Sequence, residues 1–332
     1  MKTIAPDKEK RHNAVSDKMR AVVFDDYGDA DVLRLVERPT PKRKAGELLI
    51  EVHASSVNPI DYRLRSGEMK ALLPGGFPRI PGYDVAGVVV DCDDNSSFER
   101  GQHVIAFLDH LRGGACAEYA VCSNGVATPI RETMSMRDAA AIPLAGTTAL
   151  QSLRDHGKIE PTDRVLINGA SGGVGIYAVQ IAKAYGCQVD AVASGDNRDF
   201  CLSLGADRFF DYEKENYVEL DEQWDLIFDA SGKSNYWDSR HVMSEHGRYI
   251  STEPNPKGML MTLITWPLSK SGTVMLAKPR GNDLRELIRL YELGKLSVTI
   301  DSCFPLEQTA DAHRRVEHGV DRGKVVIVHR DD

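Results

Sequence analysis

Short apolar segments, separated by Gly, Pro, Asn or Asp, dominate the chain after a polar start. From Met19 onward they read MRAVVF, LLIEVHASSV, VAGVVVDC, HVIAF and AEYAV. Segments of this length, rich in β-branched and aromatic residues and ended by turn-forming residues, are typical of β-strands. Because little helical periodicity lies between them, we predict an antiparallel, barrel-like β domain over residues 19–140, preceded by a flexible tail at residues 1–18.

Strand-like and helix-like segments alternate along residues 141–278. The helix-like segments include residues 176–185 and 196–204. The strand-like segments are VLING (165–169), QVDAVAS (188–194), DRFFDY (207–212), DLIFDAS (225–231) and RYIST (248–252). Such alternation is typical of βαβ units. We therefore predict a second domain built on a doubly wound parallel sheet.

The last part of the chain, residues 279–332, repeats the alternation on a smaller scale. It predicts helices at residues 283–293 and 306–317, and strands at SVTID (297–301) and KVVIVH (324–329). A chain of 332 residues suits two packed domains. The pattern alone does not decide whether this part extends the second domain or returns to the first.

Composition and charge narrow the class of protein. Apolar residues make up 42% of the chain and charged residues 27%, which is typical of a globular protein. The formal charge is −8, from 41 basic and 49 acidic residues, and no long basic run is present. Binding to nucleic acid depends on basic side chains that contact phosphates, so nucleic acid is not expected as a main partner.

The cysteines and the apolar segments bear on the compartment. Six cysteines are scattered without a C-x-x-C pair, which disfavours a disulfide framework and a clustered zinc site. The first residues lack the apolar core of a secretory signal. The longest apolar segment, residues 258–268, is about half the roughly 20 residues needed to cross a bilayer. We expect a cytoplasmic protein in a reducing compartment, with no membrane association.

A glycine-rich turn between strand VLIN and the helix at 176–185 is the main candidate for chemistry. Glycines at this junction allow a tight turn and a close approach of the backbone to a pyrophosphate, and the helix N-terminus offers unpaired N–H groups. Ala170 replaces the first glycine of the G-x-G-x-x-G pattern. The predicted dinucleotide-binding residues are Gly169, Ala170, Ser171, Gly172, Gly173, Val174 and Gly175.

The residues after the next strand bear on the choice of cofactor. An acidic side chain there would bind the ribose 2′-hydroxyl of NAD, but the strand ends at Ser194, and Asp190 lies within it. Arg198, together with Ser194 and Asn197, can accept a 2′-phosphate by charge-assisted hydrogen bonds. We predict NADPH. Asp196 opposes this choice, and Arg198 has an alternative interpretation as a solvated residue of a helical first turn.

Several motifs, taken in order, resemble one family. They are GELLIEVHASSVNPIDYRLRSG (46–67), PRIPGYDVAGVV (78–89), GGACAEYA (113–120), AAAIPLAGTTAL (139–150), NGASGGVG (168–175), LGAD (204–207), FDASG (228–232) and GKVVI (323–327). Together they resemble the medium-chain dehydrogenase/reductase superfamily, in its zinc-independent quinone oxidoreductase-like branch. The resemblance implies an N-terminal GroES-like β-barrel domain (19–140) that carries catalytic residues, and a Rossmann NADP-binding domain (141–278). It also implies that residues 279–332 rejoin the first domain.

The same resemblance bears on the metal. Zinc-dependent relatives carry a cysteine, a histidine and a second cysteine at the positions of Asn58, Tyr83 and Leu144. Amide, phenol and alkyl side chains do not form a tetrahedral zinc site. We therefore expect no zinc.

The segment VNPIDY supplies the candidate catalytic residues. The resemblance places Asn58 near the nicotinamide and matches Asp61 to an acidic position. The tyrosine of several quinone reductases falls on Arg63, one place after Tyr62. Asn58, Tyr62 and backbone N–H groups are candidate donors to a negatively charged oxygen. Two alternatives remain open, a turn role for Asn58 and helix capping by Asp61.

Further residues follow from the resemblance. Thr147 or Thr148 would lie near the nicotinamide, with N-capping of a helix as the alternative. Tyr212 resembles an adenosine-phosphate contact, and core packing is the alternative for it. Ser231 belongs to the FDASG motif beside the cofactor. Tyr83, Met261 and Trp266 are candidate substrate-pocket residues. The segment that holds the last two, residues 258–268, would line the substrate cleft or a dimer edge, or form ordinary sheet core.

The predicted function is a zinc-independent NADPH-dependent reductase that transfers hydride to a quinone or an α,β-unsaturated carbonyl. A small apolar substrate and a homodimer are expected from the resemblance. Two alternatives remain open at this point, an enoyl-thioester reductase and a non-catalytic NADPH-binding regulatory protein.

Overall fold

The computed structural model describes residues 15–70, 76–109, 113–254 and 256–330. Residues 1–14 of the predicted tail lie outside the described residues, and Lys18 already belongs to the first strand. The strands are β1 (Lys18–Val23), β2 (Arg34–Pro39), β3 (Glu47–Val57), β4 (Asp84–Asp91), β5 (His103–Phe107), β6 (Tyr119–Ser123), β7 (Ala127–Pro129), β8 (Arg164–Asn168), β9 (Gln188–Ala193), β10 (Arg208–Asp211), β11 (Trp224–Asp229), β12 (Met243–Ser251), β13 (Ser271–Val274), β14 (Ile300–Pro305) and β15 (Lys324–Val328). The helices are α1 (Pro59–Ser66), α2 (Met136–Ala141), α3 (Pro143–Leu150), α4 (Gly175–Ala184), α5 (Arg198–Ser203), α6 (Tyr236–Ser239), α7 (Pro256–Thr265), α8 (Gly281–Glu292) and α9 (Thr309–Glu317).

The N-terminal sheet includes strands from both ends of the chain. Its seven strands follow the order β14-β15-β3-β4-β5-β7, with β6 paired to β3, and β1 and β2 form a separate antiparallel pair. β15 pairs with β3 in antiparallel register, so that Val325 lies opposite Val57. The C-terminal strands therefore complete the sheet that begins with β3. The pairing also brings Lys324, at the start of β15, beside the end of β3.

The second sheet has the strand order of a dinucleotide-binding fold. Its six strands are all parallel and follow the order β10-β9-β8-β11-β12-β13. The order reverses between β8 and β11, and ligands of such sheets bind at this switch point, outside the carboxyl ends of the strands. The predicted fold class is confirmed: a GroES-like β domain and a doubly wound parallel-sheet domain.

The two sheets share one apolar core. The largest buried cluster includes Ile50 on β3, Ile167 on β8 and Leu287 on α8, and all three side chains are inaccessible to water. Burial of large aliphatic side chains contributes roughly 1.5–3 kcal/mol each. Because this core continues across both sheets, it fixes the position of one sheet relative to the other.

Residues 258–268 form no strand of the sheet, and Met261 is the one large apolar side chain among them that packs in the core. They form most of α7, which covers the outer edge of β13. Gly272 N donates to Thr265 Oγ1 at 2.9 Å and Val274 N donates to Thr262 Oγ1 at 3.0 Å. Because the threonines saturate the strand edge, the apolar side chains on the other helix faces point outward. Leu263 is 75% exposed and Trp266 is 85% exposed.

Candidate active site

A cavity of about 690 Å³ lies at the switch point of the parallel sheet. Its walls come from the turn after β8, the end of β9 and the residues after β11, with residues 318–321 closing one side. Most of the predicted cofactor-binding residues therefore lie together in the wall of this one cavity. The predicted residues that line it are Gly169, Ser171, Gly172, Gly173, Val174, Gly175, Ser194, Asn197, Tyr212 and Ser231.

The turn after β8 has the geometry of a phosphate cradle. Gly169 has a φ of +86°, and a Cβ at Gly175 would lie 2.0 Å from Gly169 O, so both positions require glycine for the fold itself. Gly172 differs, because the nearest atom to a Cβ there would be Gly169 O, at 3.5 Å. No contact within the protein requires glycine at Gly172. A close approach of a ligand to the backbone explains it, and a pyrophosphate fits this space.

Ala170, the departure from the three-glycine pattern, is fully buried and does not line the cavity. Its N–H donates to Val192 O at 3.0 Å, on the neighbouring strand β9. The residue therefore fixes the turn against the sheet, whereas the contact surface comes from its neighbours.

Ser194, Asn197 and Arg322 form a polar chain at the end of β9, where a ribose 2′ group would lie. Asn197 Nδ2 donates to Ser194 Oγ at 2.8 Å. Arg322 Nε donates to Asn197 Oδ1 at 2.5 Å, and Arg322 Nη2 donates to the backbone oxygen of Asp196 at 2.7 Å. Sequence reasoning missed Arg322. It lies 125 positions from Asn197 in the chain, and no local pattern signals the contact.

Arg198 is placed differently from the expectation. Its guanidinium lies over the ring of Phe209, 5.7 Å from the centroid, and it does not line the cavity. As the first residue of α5 its side chain is directed along the outer surface, which agrees with the alternative of a solvated first-turn residue. Asp190 lies within β9, as predicted, where it accepts from Trp224 Nε1 at 2.8 Å and from Arg164 at 3.0 Å.

Ser231 and Tyr212 lie on opposite sides of the cavity. Ser231 Oγ donates to Asp229 Oδ1 at 2.8 Å and accepts from Asn168 Nδ2 at 3.1 Å. These hydrogen bonds link the end of β8 to the residues after β11. Tyr212 follows β10 and is 56% exposed. A half-exposed ring in the wall of a cavity is available to a ligand, and the alternative of core packing is wrong.

Thr147 and Thr148 lie within α3 rather than at its start. The helix begins at Pro143, because proline is favoured in the first turn, and the PLAG segment is itself helical. N-capping by either threonine is therefore wrong. Thr148 Oγ1 donates to Leu144 O at 2.7 Å. Thr147 is fully buried and its Oγ1 has no hydrogen-bond partner among the described residues. Neither threonine lines the cavity.

Asp61 caps the start of α1, which is the structural alternative left open by the sequence. Its Oδ2 accepts from Asn58 N at 2.7 Å and its Oδ1 accepts from Gly82 N at 3.0 Å. Burial raises the pKa of Asp61 to about 7, although the two backbone N–H donors oppose the shift. With both oxygens held by backbone groups, Asp61 fixes the junction between α1 and the PGYD turn.

Asn58 is held by a buried polar cluster. Its Nδ2 donates to Asp84 Oδ2 at 2.7 Å, and its Oδ1 accepts from Lys324 Nζ. Asp84 also accepts from Ser56 Oγ, and from Leu144 N at 2.7 Å. Asn58 is 1% exposed. A turn role alone does not explain these contacts. Asn58 and Leu144, the positions that the resemblance matched to zinc ligands, both donate to the Asp84 carboxylate.

Tyr62 and Arg63 follow Asp61 on α1, and Tyr83 precedes Asp84 in the chain. Tyr62 is half-buried on α1. Tyr83 is buried, and burial raises the pKa of its phenol, with the nearby Asp61 carboxyl acting in the same direction. Arg63 forms a two-point ion pair with Glu253, with N–O distances of 3.0 and 2.9 Å. This pair joins α1 to the residues after β12, across the two domains.

Met261 and Trp266 do not lie in the cavity. Met261 is buried in the apolar cluster beneath β13, where a Cβ on Gly272 would come within 2.7 Å of its sulfur. Trp266 is exposed beyond the end of α7. The helical form of this segment separates the two side chains: one packs inward on the sheet and the other points into solvent.

No group of three or more His, Cys, Asp or Glu side chains in the described ranges is arranged to hold a metal ion. Within the same ranges, no helix has the length and apolar character required to cross a membrane. All six cysteines are free thiols, and only Cys303 is exposed.

Comparison with known proteins agrees with the fold. Residues 44–143 match the alcohol dehydrogenase GroES-like domain, and residues 204–327 match the zinc-binding dehydrogenase family. The chain is 35% identical over 324 residues to the quinone-oxidoreductase homolog of Spinacia oleracea, covering 93% of this chain and 98% of the relative. It is 32% identical over 326 residues to the NADPH-dependent alkenal/one oxidoreductase of Arabidopsis thaliana, covering 95% and 80% of the two chains.

A solved structure is also similar. The quinone oxidoreductase from Coxiella burnetii superposes with a TM-score of 0.87 at 32% identity, covering 94% of this chain and 100% of that one. The parallel sheet with its phosphate cradle, joined to the GroES-like domain, defines an oxidoreductase that uses a pyridine nucleotide. The chain belongs to the medium-chain dehydrogenase/reductase superfamily, in its quinone-oxidoreductase-like branch.

Proposed function

We propose that the protein is a zinc-independent NADPH-dependent reductase that transfers hydride to a quinone or to the C=C bond of an α,β-unsaturated carbonyl. The observation that carries the proposal is the open space at Gly172 in the phosphate cradle, together with the hydrogen-bonded chain of Ser194, Asn197 and Arg322 at the end of β9. Two relatives named above, a quinone-oxidoreductase homolog and an alkenal/one oxidoreductase, support the substrate class.

The chemistry divides between cofactor and protein. The reduced nicotinamide supplies the hydride when it is bound. We propose that residues 169–175, most of which line the cavity, hold the pyrophosphate, and that the acceptor binds near Asn58 and Tyr62. Hydride addition to a quinone or an enone leaves negative charge on the acceptor's oxygen, and fixed N–H and O–H donors stabilise such charge.

The preference for NADPH rests on Arg322 rather than on Arg198. The Arg322 guanidinium lies over the ring of Phe200, much as Arg198 lies over Phe209, but it also donates to Asn197, which lines the cavity. A guanidinium held at this position can bind a 2′-phosphate by charge-assisted hydrogen bonds. Asp196 contacts Arg322 through its backbone oxygen.

Two arginine variants test the cofactor preference. We expect Arg322→Ala to raise the KM for NADPH roughly tenfold or more, as loss of a charged hydrogen bond implies, and to leave the KM for NADH nearly unchanged. Arg198→Ala is the matched control and should leave both KM values close to those of the wild type. A large effect of Arg198→Ala, with none from Arg322→Ala, would assign the phosphate to the other arginine.

A substrate panel tests the reaction. NADPH oxidation would be followed with quinones, enals, enones, a short-chain enoyl-CoA and simple alcohols, before and after chelator treatment. We expect turnover with quinones or enones that the chelator leaves unchanged. Turnover restricted to the enoyl-CoA would favour an enoyl-thioester reductase, and tight NADPH binding without any turnover would favour a regulatory protein. Alcohol oxidation that requires zinc would contradict the proposal.

A homodimer and a cytoplasmic location are part of the proposal. The outward face of α7 exposes apolar side chains next to one another, among them Leu260, Leu263 and Ile264. A large contiguous apolar patch on a globular protein usually marks an interface. We assign this patch to contact with a second copy of the chain.

A further inference from the structure

Lys324 is a buried lysine to which the proposed function assigns no role. It is the first residue of β15, and its side chain is 4% exposed. A Cβ on Gly173 would lie 3.1 Å from Lys324 Cδ, and Gly323 N donates to Ser171 O at 3.1 Å. The stem of Lys324 therefore packs on the phosphate cradle, while its amino group extends into the first domain.

The ammonium group meets the polar cluster around Asn58. It donates to Asn58 Oδ1 and, at 3.4 Å, to Val57 O, and it lies 3.9 Å from Asp84 Oδ2. Burial lowers the pKa of Lys324, and the carboxylates of Asp84 and Asp61 oppose that shift. A charged amine buried among these groups is paired, as buried charges in proteins must be.

These contacts fix the orientation of the Asn58 amide. An ammonium group can only donate hydrogen bonds, and a carboxylate can only accept them. Lys324 must therefore face Oδ1 and Asp84 must face Nδ2, so a flipped amide would lose both bonds. An amide nitrogen carries two hydrogens, and Asp84 is its only acceptor among the described residues. The second hydrogen of Asn58 Nδ2 has no acceptor among the described residues.

We infer that Lys324 is a positioning residue: it holds the Asn58 amide in the orientation that directs an N–H group toward the oxygen of the hydride acceptor. The inference rests on the proposed function. Because its stem packs on Gly173 and its ammonium group donates to Asn58, the same side chain also links the phosphate cradle to the Asn58 amide.

Lys324→Met is the informative variant, since methionine keeps an unbranched stem against Gly173 and removes the ammonium. We expect kcat for the quinone or enone to fall roughly tenfold, as loss of a charged hydrogen bond implies. The Kd for NADPH, measured by fluorescence, should change less than about threefold, because the cradle keeps its packing. Lys183→Met, which removes a partly exposed lysine paired with Asp207, is the control and should leave kcat unchanged.

A double-mutant cycle separates positioning from a general loss of stability. If Lys324 acts through Asn58, Lys324→Met should change kcat less than about twofold in an Asn58→Leu background. Effects that multiply, or a fall in melting temperature with kcat unchanged well below it, would contradict the inference.

A third measurement does not depend on turnover. The side-chain amide signals of Asn58, assigned by their absence in Asn58→Leu, should exchange with solvent more slowly in the wild type than in Lys324→Met. Equal protection in both proteins would overturn the inference. Failure of the proposed function would appear separately, as a wild type that turns over no acceptor.

Discussion

Asn58 and Asp61 are three positions apart in one helical turn, and the structure gives them different tasks. Asp61 accepts two backbone N–H groups and closes the start of α1. Asn58 directs its side chain into the cluster with Asp84 and Lys324. Both were candidate catalytic residues from one motif. Only the partners on other elements distinguish a side chain that anchors a turn from one that joins a buried polar cluster.

The pKa of Asp61 predicts a pH-dependent stability. The folded protein holds the proton up to a pKa of about 7, whereas the unfolded chain releases it near 3.8. Between these values the folded state binds more protons, so stability relative to an uncharged side chain falls as the pH rises toward 7. We expect Asp61→Asn, compared with the wild type by urea denaturation at pH 5, 6, 7 and 8, to lose this dependence. A constant difference in unfolding free energy across that range would contradict the shifted pKa.

The turn after β8 shows how one short element divides its glycines between folding and binding. Gly175 lets the first turn of α4 pass against Gly169, with no room for a side chain. Gly172 faces open space in the cavity. The sequence motif treats these glycines alike, but their surroundings differ.

Alanine at each of these glycines should therefore have a different effect. Gly172→Ala should leave the melting temperature near that of the wild type and raise the Kd for NADPH roughly tenfold, equivalent to about 1.4 kcal/mol. Gly175→Ala should lower the melting temperature, because its Cβ would lie 2.0 Å from Gly169 O. Calorimetry and fluorescence titration measure the two effects. Unchanged NADPH binding in Gly172→Ala would mean that no ligand approaches the cradle there.

At the scale of the whole molecule, the outer face of α7 stands apart from the site. The helix covers the edge of the parallel sheet with Thr262 and Thr265, and turns apolar side chains away from the sheet. Covering an edge with a helix protects it from pairing with other strands. The apolar face of α7 that remains exposed is the surface that we propose contacts a second copy of the chain.

Two aspartate variants test that assignment. Leu263→Asp should convert a dimer to a monomer, because a charge in the centre of an apolar interface is left unpaired. Leu293→Asp is the matched control: this leucine is 56% exposed after α8, away from α7, and the variant should remain dimeric. Light scattering after size-exclusion chromatography measures the mass. A monomeric wild type, or a dimeric Leu263→Asp, would rule out this interface.

The sequence by itself determined the strands β8 to β11, the glycine turn and the position of Asp190 within β9, but it predicted only the second half of β12, which begins at Met243 rather than Arg248. These features depend on neighbours a few residues away, which a local pattern records. It placed the strand of SVTID at 297–301, whereas β14 runs over Ile300–Pro305. Its pairing with β15, a long-range contact, sets those limits.

Only the tertiary structure decided which arginine contacts Asn197, what Asn58 contacts and which face of α7 is exposed. Lys324 reaches Asn58 because β15 pairs with β3, near the opposite end of the chain, and Arg322 reaches Asn197 just before β15 begins. Hydrogen bonds between residues so far apart leave no periodicity in the sequence. The pattern of residues thus specified the elements and the cradle, and the packing of those elements selected the side chains that surround it.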